Sequence, residues 1–131
     1  ADARRQSGDE EGAEAVASIA RKDHAARVAA GQRHVNLDLW GADIANFDHD
    51  YDKAIAYLDA SIDKALRDKS VFDSSNNYLF QDDPRYIAVQ AKLDAILIEE
   101  HEKVLQLICF NNPVPDIWRP MPETCEGVTE K

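Results

Sequence analysis

Apolar residues recur every three or four positions through most of this chain, and that spacing predicts helices rather than strands. The first helix follows the acidic turn Gly8, Asp9, Glu10 and Glu11, whose charges suit the positive end of a helix dipole. Its stripe is Ala13, Val16, Ala17, Ala20, His24 and Val28, and Gly31 is its stop. Half of that stripe is alanine, so a neighbour can come close while little apolar area is buried per turn. A second helix is expected from Leu37 to Phe47, where Trp40, Ile44 and Phe47 share a face. Asp50 then caps a third, in which Ile55, Leu58, Ile62 and Leu66 line one side. Lys64, Arg67 and Lys69 stand near its negative end.

The stretch "SVFDSSNNYLFQ" reads as a loop, dominated by Asn, Ser and Asp, although Phe72, Tyr78, Leu79 and Phe80 are too apolar to be left wholly in water. Asp83 and Pro84 make a strong helix start. The helix they open runs to about Phe110, with Ile87 or Val89, Leu93, Ile96 or Leu97, Val104 and Leu107 or Ile108 on its apolar side. Glu99 and Lys103 can pair one turn apart. Four of the chain's five prolines lie after residue 112, so the tail has no regular structure in its first part. Ile117, Trp118 and Met121 nevertheless predict that it docks on the body.

Composition agrees with one all-α domain: 131 residues, 44% of them hydrophobic, are enough to build a core. The helical body is expected over residues 1–110 and the proline-rich tail over 111–131. A net charge of −10, concentrated between residues 36 and 83, argues against nucleic acid or an anionic membrane as partner and favours a cationic one. No apolar run approaches the ~20 residues a membrane-spanning helix requires. The start at Ala1 rather than Met suggests a piece of a longer protein.

Two segments match each other. "QSGDEEGAEAVASIARK" aligns with "FDHDYDKAIAYLDASIDK", placing Asp9 on Asp50, Ala13 on Ala54 and Ala20 on Ser61, an offset of 50 − 9 = 41 residues. Small residues seven apart lie two turns along one face and admit a closely packed neighbour, as stacked helical hairpins require. In this the chain resembles the tetratricopeptide repeat family, whose unit is a 34-residue helix, turn and helix. Ala42, Ala54, Leu58 and Ser61 match the family's small and large positions. The usual tryptophan is displaced to Trp40, and no proline closes either copy. "LFQDDPRYIAVQAKL", with Leu79, Asp83, Pro84, Arg85 and Tyr86, is similar to the end of the repeat region in bacterial multidomain regulators. The two resemblances cover Gln6 to Leu93.

The resemblance implies antiparallel helical hairpins of an α-solenoid and a concave groove exposing Leu39, Trp40, Asp43 and Asn46. Some members of the family hold a peptide's carboxylate there with lysines. Asp43 in that position favours a basic or amphipathic ligand, while core packing is the alternative role of Trp40. The resemblance also leaves the first helix without a partner on one face, so missing upstream repeats or a homodimer through that helix is expected.

Little else points to chemistry. His24, His34, His49 and His101 contain no pair at helical i, i+4 spacing, and "EEHEK" is no metal signature, so no metal or other cofactor is expected. The Asp-rich turn lacks the glycine and terminal glutamate of an EF-hand loop. Without a phosphate loop or a nucleophile motif, no catalytic residue is assigned. Asp43 with Asp48 or Asp50 would be the carboxylate pair to examine in an enzyme. Cys109 and Cys125 would form a bridge contributing ~3 kcal/mol in an oxidising compartment such as the periplasm, and stay reduced in the cytoplasm. The tail either caps the solenoid's end or lies in the groove as a mimic of the ligand. The expected function is therefore non-catalytic protein or peptide binding. Its alternative is a small-ligand sensory domain of a membrane-bound regulator.

Overall fold

The computed structural model describes residues 1–73, 75–110 and 122–131, apart from the side chains of residues 2, 73, 75, 76 and 78. The expected docking of Ile117, Trp118 and Met121, and the fate of the Tyr78 side chain, lie outside the described residues. The protein is all-α: helices α1 (Asp2–Gln6), α2 (Glu10–Ala29), α3 (Val35–Phe47), α4 (Tyr51–Asp63) and α5 (Pro84–Phe110) account for most of it. Short 3-10 turns cover Lys69–Asp73, Ser75–Phe80 and Pro122–Cys125, and no strand occurs among the described residues. Two compact units form, Ala1–Gln90 and Ala91–Lys131.

In the first unit α3 is central. Ala13 and Ala17, early in α2, cluster with Phe47 at the end of α3, whereas His24, later in α2, reaches the carbonyl of Leu37 at the start of α3. The two helices are therefore antiparallel. The same argument orients α4, because Lys64 at its C-terminal end pairs with Asp38 in the first turn of α3. Lys64 Nζ donates to Asp38 Oδ1 at 2.8 Å. It lies 2.6 Å from Oδ2, which otherwise has no directed donor.

Capping explains the boundaries. Asp9 accepts from the Gly12 amide and Asp50 from the Lys53 amide, each satisfying an orphan donor of the helix it opens. Each of α2, α3 and α4 stops at a left-handed residue: Gly31 (φ 81), His49 (φ 60) and Ala65 (φ 72). The amides beyond them fold back, Gln32 onto Arg27, Asp50 onto Ala45 and Leu66 onto Ser61, capping otherwise free carbonyls. Ala65 ends α4 at Asp63, so Arg67 and Lys69 fall outside the helix that the apolar pattern had continued through Leu66.

Helix α1 was not expected. Its Arg5 guanidinium lies 3.6 Å from the centroid of the Phe47 ring, and Arg5 Nη1 donates to the Phe47 carbonyl at 3.0 Å. The expected loop is instead two 3-10 turns that bury Phe72 and Phe80 and leave Leu79 exposed. On α5, Val89 rather than Ile87 is the buried choice.

At the start of α5, Asp83 accepts from the Arg85 amide at 2.8 Å and from its guanidinium at 3.0 and 2.7 Å. Arg85 also reaches Asp52 on α4 at 2.8 Å. Side-chain and backbone hydrogen bonds from Arg85 hold the Asp83 carboxyl well below its ordinary 3.8, at about 2. A depressed folded-state value favours folding fully above the unfolded value and is lost as pH falls from about 4 towards 2. Urea midpoints measured across that interval should therefore fall more steeply for the native chain than for Asp83→Asn. Parallel slopes would remove Asp83 from the acid response.

In the second unit the chain end is fastened to α5. Cys109 and Cys125 form a disulfide. Gln106 donates to the Thr129 carbonyl at 2.7 Å and accepts from the Lys131 amide at 3.2 Å, and Lys131 pairs with Glu102 at 2.7 Å. No helix among the described residues is long and apolar enough to cross a membrane.

Candidate functional site: a cleft between α2 and α4

Because α3 is flanked by α2 on one side and α4 on the other, the groove above it is open. Its volume is about 490 Å³. Gly41, Ile44 and Ala45 of α3 form the floor, Ala25 and Val28 of α2 one apolar wall, and Tyr57 of α4 the other. Asp48, Asp50, Lys53 and Arg21 gather at one end.

His24 and Tyr57 meet across the floor, their rings edge-on with centroids 5.6 Å apart, and Trp40 stands edge-on to His24 at 5.9 Å. Gly41 makes this closeness attainable: a Cβ there would lie 2.8 Å from Tyr57 Cζ and 2.9 Å from His24 Nε2. Since His24 Nε2 faces the Leu37 carbonyl at 3.0 Å, and a carbonyl can only accept, that nitrogen carries a proton and donates it.

The charged end is tied down by Arg21. Its Nη2 lies 2.7 Å from Asp48 Oδ1, its Nε donates to both Asp48 oxygens, and both terminal nitrogens reach Glu14. These bonds, Glu14 first and Asp48 second, raise the guanidinium's pKa, and the bond to Arg21 lowers that of Glu14. Asp50 is committed to capping α4. The cleft thus joins an apolar floor to a fixed acid–base rim and the ammonium of Lys53.

The residues expected to form a groove separate. Leu39 and Asp43 line a smaller cavity of about 210 Å³ with Ala42, Leu58, Val71 and Asn77. Asn46 is buried. Trp40 is half-buried against His24, with the Arg27 guanidinium 5.8 Å from its ring centroid. Of the repeat positions, Ala13, Ala42, Ala54, Leu58 and Ser61 are buried and Ala20 half-buried. Asp48 and Asp50 face the larger cleft, Asp43 the smaller.

No protein family, curated protein or solved structure matches this chain. The cleft therefore has to be read from its own chemistry. His34, His49 and His101 are exposed, and among the described residues no three His, Cys, Asp or Glu side chains gather as a metal site. Sequence reasoning missed Arg21, Gly41, Lys53 and Tyr57. One signal was available: a glycine inside a helix costs about 1 kcal/mol relative to alanine, so Gly41 next to Trp40 marks a close approach.

Proposed function

We propose that this chain is a non-catalytic binding domain whose α2–α4 cleft takes a short amphipathic segment of a protein partner. The observation that carries the reading is the cleft itself: an open apolar floor of Gly41, Ile44 and Ala45, ending in Arg21, Asp48, Asp50 and Lys53. A segment with one apolar anchor and a charged neighbour is complementary to it. The alternating directions of α2, α3 and α4, and the burial of Ala13, Ala54 and Ser61, favour a tetratricopeptide-like arrangement. The resemblance of residues 79–93 to the end of such a repeat region supports reading the chain as the C-terminal part of a larger bacterial regulator. The Cys109–Cys125 bridge favours an oxidising compartment.

A random-peptide display library panned on the whole chain tests this. Ala25 is exposed on the cleft wall, so Ala25→Trp fills the cleft without disturbing the core. Selected peptides should compete for one site and lose about tenfold or more in affinity to Ala25→Trp. Peptides indifferent to that change would remove the cleft from the function. The small-ligand alternative draws on the cleft's volume, which lies within the ~300–1,000 Å³ of small-molecule sites. Compounds that raise the melting temperature and are displaced by no peptide would favour it.

A further inference from the structure

The side of α2 turned away from α3 carries a second feature. Ala13, Ala17 and His24 are its buried positions, whereas Ile19 is 69% and Val16 39% exposed. At 3.6 residues per turn, Glu11, Ala15, Lys22 and Ala26 fall within a narrow stripe beside Ile19. All of them are exposed. Arg21, His24 and Val28 of the cleft lie on a different face of α2, whereas Ala29, seven residues after Lys22, brings the cleft's rim onto this stripe.

We infer that this stripe is the docking surface for a second copy of the chain, with the two α2 helices antiparallel about a two-fold axis between positions 16 and 17. Charge complementarity selects this occupant. Acids fill the first half of the helix (Glu10, Glu11, Glu14) and bases much of the second (Arg21, Lys22, Arg27). Most are already engaged within the chain: Glu10 with Arg5, Glu14 with Arg21, and Arg27 with Asp23. Glu11 and Lys22 stand about three turns apart on the outward stripe. In the antiparallel pair, Glu11 of each copy meets Lys22 of the other, forming two symmetric ion pairs. The same axis sets Ala15 against Ser18 at the crossing, where small side chains let two helices approach to about 8 Å. Ile19 of each copy then covers the small residues of the other. A parallel pair would set Glu11 against Glu11. The two-fold arrangement is closed, so the association stops at a dimer.

Sedimentation equilibrium of the intact chain over a concentration series provides the test. The native chain should show a reversible monomer–dimer equilibrium that weakens with salt. Glu11→Lys and Lys22→Glu should each weaken association by about tenfold or more, since each replaces two attractions with two repulsions. The double variant Glu11→Lys/Lys22→Glu should return to within about threefold of the native chain, because the swapped charges pair again. Both positions changed in this cycle are solvent-facing, and unchanged circular dichroism confirms that each variant is folded. A native chain monomeric throughout, or a double variant no better than the singles, overturns the inference.

Discussion

Truncating Tyr86 to alanine should cost about 3–5 kcal/mol of unfolding free energy, the range for a large buried aromatic. Only 2% of Tyr86 is exposed. Its ring packs edge-on against Phe80 at 5.1 Å and tilted against Phe72 at 5.7 Å, and Phe80 in turn meets Tyr51 of α4 at 5.5 Å. The hydroxyl donates to the Phe72 carbonyl at 2.9 Å. One side chain at the start of α5 therefore holds both 3-10 turns to the helical body. The hydrogen bonds of a 3-10 turn are poorly aligned, so these segments depend on this packing. Tyr86→Phe separates the contributions: it keeps the ring and leaves a buried carbonyl without its donor, which should cost about 1–2 kcal/mol. Urea denaturation followed by circular dichroism reads both. A loss below about 1 kcal/mol for Tyr86→Ala would show that the turns are held by something other than this aromatic cluster.

The signals that were legible in the sequence are those carried by a few neighbouring residues. Asp9, Asp50 and the Asp83–Pro84 pair open helices where a cap and a fixed φ predict them, and Gly31 closes α2 as a residue free to turn left-handed should. Ala65 was invisible by the same logic. Alanine is the strongest helix former, yet it takes φ 72 because Leu66 must turn inward and Lys64 must reach the buried Asp38. Tertiary packing outweighed local propensity at that point. Helix α1 escaped notice because five residues cannot show a period, and its stability comes from Arg5 on Phe47, far away in sequence. The cleft was partly legible. Placing α3 between its neighbours made Trp40 and Asp43 prominent, but which side each faces depends on helix rotation, and the structure puts Asp43 on the smaller cavity and Trp40 against His24.

Replacing Gly41 with alanine should destabilise the protein by about 1–3 kcal/mol, although propensity alone favours the change by about 1 kcal/mol. The added methyl group would meet Tyr57 at 2.8 and 2.9 Å and His24 Nε2 at 2.9 Å, distances that no packed carbon occupies. His24 cannot retreat cheaply. Its Nε2 is bonded to the Leu37 carbonyl and its ring stands edge-on to both Trp40 and Tyr57, so moving it leaves the buried ring N–H without its acceptor and opens two ring contacts. Tyr57 is half-buried on the cleft wall and can move outward, but only by narrowing the groove. A double-mutant cycle apportions the strain. In a Tyr57→Leu background two of the three close contacts disappear, and Gly41→Ala should then cost at least about 1 kcal/mol less than in the native chain. If Gly41→Ala instead stabilised the native chain by the propensity increment, the rings would be yielding freely. A floor that soft would not hold the cleft in the shape that the proposed peptide recognition requires.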